Sequence, residues 1–427
     1  MRNLQEHNMK NNIHRKLIPK KYSKFFDNNE EDNILITMKS IEPKNPSNEK
    51  KTRNKSDIEN QKEKNEDLDK QKDIERRLQK LKELEEKRKK DDEKKKEKII
   101  KIKKLVEAIT LNKNGLINLG NTCFMNTCLQ LLIHCSPFLE KIFFENPTKK
   151  RLTNEFCNLC QNQMNNCSSP KNFKNIFSEL HSQYKGNQQH DTVEFCRLLL
   201  EDISKEMNRI TVILPYIKLD DNNKTKIELN LKFDKIFKRR EDSLVIDTFY
   251  GQIINIFRCK CGFESYSFEK FLDIPLLFKN NNNNQNLNSL IKDFFEEDEI
   301  QWGEKCKQCK KKVKQKKVVK ITYPPEILIL SLQRYDKKGN KKNNSDVAFS
   351  ENIDLKDFSD KDCCQEFSTK YNLIGIGNHT GSINFGHYFA YININNEWFE
   401  FNDKSCFKCD KFITNSSKAY MLVYKRT

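Results

Sequence analysis

Near residue 113 the chain changes material, and that change limits what it can fold into. Residues 1–113 hold 33 Lys/Arg against 23 Asp/Glu, a surplus of 10 within a net charge of +18. Residues 1–56 read as disordered, since so polar a segment buries too little apolar surface to offset chain entropy. Residues 57–113 are rich in Lys and Glu with sparse Ile and Leu. Ile74, Leu78, Leu81 and Leu84 fall at helical spacing, a stripe shorter than the three to four heptads that argue a coiled coil. With i,i+4 pairs such as Glu83 and Lys87, the segment reads as a charged helix or linker. The basic run Lys87 to Lys98 has the composition of a nuclear localisation or RNA-attracting patch. Interleaved acidic residues favour a solvated helix face, and the missing aromatics leave nothing to stack bases. Nucleic acid is therefore not an expected partner.

From residue 114 the apolar fraction rises, and 114–427 reads as one folded domain. No apolar run reaches the roughly 18 residues of a membrane span, so no membrane association is expected. The first residues lack the apolar core of a signal peptide. The 15 cysteines are then expected as thiols or metal ligands in the cytoplasm or nucleus, rather than as disulfides. The domain opens with helical patterns, at Leu139 to Phe144, at Asn172 to Tyr184, and in an amphipathic helix capped by Asp191. That helix carries Val193, Cys196, Leu199, Leu200 and Ile203 on one face. After about residue 243 the period falls to two. Strands are predicted at Ile253 to Arg258, Val318 to Ile321, Ile327 to Leu332, Leu373 to Ile376 and Tyr388 to Ile392. Asn280 to Asn284 and Lys337 to Ser345 read as polar loops. Helices first and an antiparallel sheet later make an α+β fold.

The chemistry gathers at two places. Gly115 to Gln130 (Gly-Leu-Ile-Asn-Leu-Gly-Asn-Thr-Cys-Phe-Met-Asn-Thr-Cys-Leu-Gln) reads as a tight turn and N-cap entering a buried helix. Cys123 falls in the first turn, where unpaired N–H groups and the helix dipole favour a thiolate nucleophile. A core cysteine is the plainer reading of the same position. Cys128, one turn on, is expected buried and inert. Far downstream, His387 follows a glycine and starts a strand, placed to take a thiol proton. Fifteen residues later, Asn402 and Asp403 end a strand that a hairpin would bring beside His387. Either one has the chemistry to orient the imidazole.

Four stretches occur in one order: the cysteine stretch, Gln188-Gln189-His190-Asp191-Thr192-Val193-Glu194-Phe195, Gly386-His387-Tyr388, and Trp398-Phe399-Glu400-Phe401-Asn402-Asp403. Together they resemble the ubiquitin-specific protease family of papain-like cysteine deubiquitinases. Leu328 to Tyr335 and Tyr371 to His379 resemble its segments leading to the mobile loops and the histidine box. The resemblance covers about 114–427. It implies a palm, thumb and fingers architecture, with a helical thumb carrying Cys123 and antiparallel palm and fingers. It implies Cys123 as nucleophile on the C-terminal glycyl carbonyl of ubiquitin and His387 as general base, then acid. Asn402 would orient His387, with Asp403 assisting, and Asn118 would supply an oxyanion-hole amide. Asp191 and Glu194, with Gln189 and Tyr388, would bind the substrate, the two acids pairing with arginines of ubiquitin's tail.

Relatives carry a structural zinc in the fingers on two Cys-x-x-Cys pairs. Here Cys306 and Cys309 keep that spacing, whereas Cys259 and Cys261 are one residue short of it. The four thiolates still suffice for a tetrahedral site. Cys157/Cys160 and Cys406/Cys409 lie outside the expected ribbon and read as buried or free thiols. Catalysis itself is expected to need no cofactor. The expected protein is a monomeric deubiquitinase acting on ubiquitin and ubiquitinated proteins. The alternatives are an inactive ubiquitin-binding module and a protease for another ubiquitin-like modifier.

Overall fold

The computed structural model describes residues 56–427 apart from 213–214, 216–218, 220–223, 279–283, 302–304, 336–340, 383–384 and 411–413. Most of the Asn280 to Asn284 tract and the first part of the Lys337 to Ser345 stretch lie outside the described residues. The chain divides into two units at Lys94 and Lys95. The first contributes the greater part of helix α1, Ser56–Thr110. Its stripe of Ile74, Leu78, Leu81 and Leu84 stays exposed, as a lone charged helix must leave it.

The second unit starts upstream of the boundary that charge suggested. The last turns of α1 carry Val106 and Ile109 into its core, with Ile102 and Leu105 packed beside them. These four recur at three- and four-residue steps, a buried face that the surrounding lysines conceal in any average of charge. Helices α2 (Cys123–Ile133), α3 (Ser136–Glu145), α4 (Arg151–Gln163), α5 (Lys171–Leu180) and α6 (Thr192–Glu206) follow and form the thumb. Helices α7 (Lys226–Lys238) and α8 (Leu244–Phe249) were not legible as helices. Thr225 and Glu228 close a capping box at the start of α7, which fixes its first turn locally.

An eight-stranded sheet makes the palm. Its strands are β3 (Asp273–Leu277), β7 (Ile327–Gln333), β9 (Asn352–Asp354), β10 (Lys370–Gly381), β11 (Gly386–Ile394), β12 (Glu397–Asn402), β13 (Ser405–Lys408) and β15 (Ala419–Arg426). The order is β13-β12-β11-β10-β15-β7-β3, with β9 on β10. Pairing is antiparallel except at the edge, where β3 runs parallel to β7. The chain leaves β3 and returns to β7 only after a long excursion, the crossover that parallel neighbours need. Strands β1 (Gly251–Arg258), β2 (Glu264–Phe271), β5 (Asp298–Gln301) and β6 (Lys314–Tyr323) form the fingers in the order β2-β1-β6-β5. A small third sheet joins β4 (Asn284–Asn286), β8 (Asp346–Ala348) and β14 (Asn415–Ser416).

The middle of the palm is covered on both faces, so β7 and β15 read as nearly continuous apolar runs. In β15, Met421 and Val423 meet the thumb core, while Leu422 and Tyr424 enter a second core with helix α9, Leu287–Phe294. Two glycines in β10 let α2 lie close. A Cβ on Gly375 would stand 2.5 Å from Leu131 Cδ2, and one on Gly377 would touch Leu131, Met421 and Thr127. This close seat sets the start of α2 beside the start of β11.

If the last turns of α1 belong to the folded unit, Ile109→Ala costs about 2–5 kcal/mol through lost burial and cavity. Leu81→Ala, at a side chain 47% exposed against 0% for Ile109, leaves stability unchanged. Denaturant unfolding of both variants checks this, and equal midpoints would refute the boundary.

Candidate active site

Residues 115–122 make a compact turn ahead of α2. Asn118 Oδ1 accepts the N–H groups of Gly120 (2.9 Å) and Thr122 (3.1 Å) and the Thr122 hydroxyl (3.2 Å). Gly120 (φ 97) and Asn121 (φ 52) both take left-handed backbone, which suits glycine and asparagine. Thr122 precedes the helix as expected, yet its side chain does not cap α2. Its backbone lies outside the extended region that capping needs, and its Oγ1 instead accepts the Leu119 N–H at 2.9 Å. The first N–H groups of α2 therefore point onward from the helix without an intrahelical partner. Cys123 is the first residue of that helix and is buried.

His387 begins β11. Its Nε2 lies 2.8 Å from Asn402 Oδ1 at the end of β12, so the ring's Nδ1 is the atom left to meet Cys123. The hydrogen bond with the Cys123 thiol is the largest influence on the imidazole and raises its pKa to about 9, against the lowering effect of burial. Asn402 adds to the rise, and the charges of Cys123 and Asp403 follow. The imidazole thus stands between the Cys123 side chain and the Asn402 amide oxygen. Cys128, one turn into α2, is buried with a pKa pushed well up by burial and by Cys196, an inert thiol as expected.

The other candidate residues fall as follows. Asn118 is exposed at the mouth and gives one Nδ2 hydrogen to Asp403 Oδ2 at 2.9 Å. Asp403 turns toward that amide and makes no hydrogen bond to His387 among the described residues. Asp191 caps α6 through Oδ1, accepting Val193 N and Glu194 N at 2.8 Å each, and its Oδ2 accepts the Tyr420 hydroxyl. Glu194 is exposed in the first turn of the same helix. Gln189 clasps the peptide groups of Gly386, donating to its oxygen at 2.7 Å and accepting its N–H at 2.9 Å. It thereby ties the thumb to the residue before His387. Tyr388 is buried, 4.4 Å from the His379 ring and 5.8 Å from Tyr420 between centroids.

Sequence reading missed Tyr420, His379 and Asn126. His379 is buried, and desolvation holds its pKa down at about 3, so it is neutral and structural. Its presence inside the histidine segment gave no hint of that, because burial is not written in a one-residue pattern. Asn126 stood in the cysteine stretch, where a polar residue inside a buried helix is the available signal.

At the end of the fingers, Cys259, Cys261, Cys306 and Cys309 gather with all four sulfurs within 4.8 Å of one another. Cys259 and Cys309 are 3.8 Å apart, and Cys261 and Cys306 are 3.7 Å apart. Bonds of roughly 2.3 Å to a tetrahedral ion give sulfur–sulfur edges of about 3.8 Å, so the donor set fits. The shortened Cys259-Lys260-Cys261 loop reaches this geometry because Gly262 takes φ 87 and its N–H closes on Cys259 O at 2.9 Å. Among the described residues no third ligand joins Cys157 and Cys160, which are buried in α4, or Cys406 and Cys409.

A family model described as ubiquitin carboxyl-terminal hydrolase matches residues 114–424. The chain belongs to the ubiquitin carboxyl-terminal hydrolase family. Membership makes it a deubiquitinating cysteine hydrolase. Ubiquitin carboxyl-terminal hydrolase 2 of Gallus gallus is 31% identical over 345 residues, 75% of this chain and 94% of that protein. The Homo sapiens protein of the same name is 30% identical over 335 residues, 73% of this chain, and the match spans 54% of its length. Among solved structures, the SAGA Ubp8/Sgf11/Sus1/Sgf73 DUB module bound to ubiquitin aldehyde aligns with a TM-score of 0.57 at 21% identity, covering 74% of this chain and 69% of that one. A yeast SAGA DUB module with an Sgf73 mutant gives 0.53 at 23%, covering 74% and 68%. These likenesses show the fold, an α+β architecture with thumb, palm and fingers. No helix among the described residues is long and apolar enough to cross a membrane.

Since Cys123 is the main cause of the raised His387 pKa, Cys123→Ala moves the His387 titration from about 9 down toward its ordinary value. Ring resonances followed by NMR against pH check this. An unmoved midpoint would mean that the two side chains do not interact.

Proposed function

We propose that this chain hydrolyses the bond after the C-terminal glycine of ubiquitin, with Cys123, His387 and Asn402 as a catalytic triad. The observation that carries the reading is the His387 imidazole bonded to Cys123 and to Asn402 Oδ1. An imidazole whose pKa is raised to about 9, chiefly by the Cys123 side chain, is placed to exchange a proton with that sulfur. As the sulfur attacks the glycyl carbonyl, its proton rests on His387. The sulfur bonds to the carbonyl carbon, giving a tetrahedral oxyanion that later collapses to a thioester as the carbon–nitrogen bond breaks. The Cys123 N–H at the start of α2 and the Asn118 amide stabilise that oxyanion, an effect worth a few kcal/mol per donor. His387 gives its proton to the departing amine, then takes one from the water that cleaves the thioester. Asn402 keeps the ring in register through both steps.

Glu194, exposed at the start of α6, and Asp191 beside it would meet the basic tail of ubiquitin. The partners are ubiquitin and ubiquitinated proteins, and a reactive thiol suits the reducing cytosol or nucleus. Ubiquitin carrying an electrophile at its C-terminus should form a covalent adduct with wild type and none with Cys123→Ala. Binding without an adduct in wild type would favour an inactive binding module, and neither would point to another modifier.

The four-cysteine cluster is read as a structural zinc site holding the fingers. About one zinc per chain is expected by metal analysis. Cys306→Ser should lose the metal and lower the melting temperature while Cys123 still reacts with a small alkylating agent. Metal-free protein with an unchanged melting temperature would sink the zinc assignment.

A further inference from the structure

Two loops meet at the tip of the fingers, Cys259 to Phe263 and Lys305 to Val313, and bring their four sulfurs within 4.8 Å of one another. Six lysines ride on these loops: Lys260, Lys305, Lys307, Lys310, Lys311 and Lys312, all of them exposed. Each stands within three residues of a sulfur of the cluster, and neither loop holds an Asp or a Glu. Glu304 precedes Lys305 and lies outside the described residues. Further along the fingers the charges are balanced, since Lys314 and Lys316 of β6 pair with Glu299 at 3.5 Å and Glu297 at 2.7 Å. Four thiolates around a divalent ion carry a net charge of about −2, too little to offset six lysines. Lys310 sharpens the observation. It follows the second cysteine of its pair, as Gly262 follows Cys261 in the other loop. Both take left-handed backbone, φ 59 for Lys310 and φ 87 for Gly262, and both N–H groups close back at 2.9 Å, onto Cys306 O and Cys259 O. Glycine makes this turn freely, whereas a Cβ there is strained. A charged side chain is thus held where the turn itself asks only for glycine.

We propose that this fingertip docks on the phosphate backbone of a nucleic-acid duplex, without regard to base sequence. Lysines offer point charges to phosphates and lack the planar fork that reads base edges. Contacts of that kind supply essentially all sequence-independent binding to a duplex. The interleaved acids that argue against nucleic acid in the basic run of α1 are missing at the tip. A protein partner fits less well, because protein interfaces are poor in lysine and turn on aromatic, apolar or arginine anchors. Here Phe263 and Val313 are half-buried, and neither loop contains arginine. Single strands are held on exposed aromatic platforms, which the loops also lack. DNA and RNA duplexes share the phosphate chemistry, and the experiment compares them.

The full chain is titrated into short fluorescein-labelled DNA and RNA duplexes, and anisotropy is followed over a range of salt. A fingertip variant carries Lys310→Gly, Lys311→Gln and Lys312→Gln. It removes charge and relieves the left-handed turn, so its melting temperature should not fall. A matched variant in α1 carries Lys94→Gln, Lys95→Gln and Lys96→Gln. At low salt the fingertip variant should bind about tenfold or more weakly than wild type, and its slope of log affinity on log salt for DNA should lessen by about 2.7, or about 0.9 for each lysine lost. The α1 variant should stay within about threefold of wild type, because acidic neighbours already offset that run. In wild type either duplex should also slow the acetylation of Lys310, Lys311 and Lys312, read by mass spectrometry. The duplex that binds more tightly identifies the nucleic acid. Equal losses in the two variants, or acetylation indifferent to both duplexes, would reduce the effect to bulk charge and overturn the proposal. Polyglutamate binding more tightly than either duplex would point to an acidic protein and overturn it. A raised KM for a ubiquitin C-terminal aryl amide in the fingertip variant, with duplex binding unchanged, would assign these lysines to ubiquitin and overturn it as well.

Discussion

The site depends on the contact between the turn after β12 and the loop before α2, segments 285 residues apart at Asn118 and Asp403. Backbone meets backbone there, through Leu116 N–H and Asp403 O. Gly115 is pressed so near the Asp403 and Lys404 backbone that a Cβ would collide with it. Hydrogen bonds of this kind contribute about 1 kcal/mol each net. Their weight lies in direction, because they place two loops on a common frame. Asn402 then falls on the histidine side of that frame and Asn118 on the cysteine side.

A broader surface holds the frame. Helix α2 is buried along its whole length, and the glycines of β10 let it sit directly on the palm. Side chains at those positions would lift the helix, and Cys123 with it, away from His387. The thumb is fastened again at the other rim, by Gln189 on the peptide of Gly386 and by Tyr420 on Asp191. Asp191 is therefore both the cap of α6 and a thumb-to-palm contact. An acidic side chain with these duties is held in one orientation.

The fingers stand apart from this machinery. Their four sulfurs are joined through turns at the strand ends, where few apolar side chains are available to pack. Further along the ribbon, Ile254, Ile256 and Phe268 form a small core with Leu229 of α7.

Much of this was legible in the chain. Alternation, helical spacing and the Asp191 cap located most thumb helices and the principal strands, because local periodicity follows from which faces are buried. Ordered motifs pointed to Cys123, His387 and Asn402, which lie together in the fold, because the proposed acyl chemistry calls for side chains of those types. Helix α8 escaped because six residues carry too few turns to show a period, and α7 because it buries only Leu229 and Asn230 and so lacks a continuous apolar face. The start of the folded unit at Lys95 was hidden by lysines flanking a buried stripe. What only the tertiary structure decided is which partner each polar group takes. Asp403 could serve the histidine or the loop, and a left-handed backbone angle turned it to the loop. The spacing of Cys259 and Cys261 alone left open whether their sulfurs would meet those of Cys306 and Cys309, and a glycine turn brings the four together. Composition and pattern set the residue types, whereas hydrogen-bond direction depends on distances between segments that no local pattern encodes.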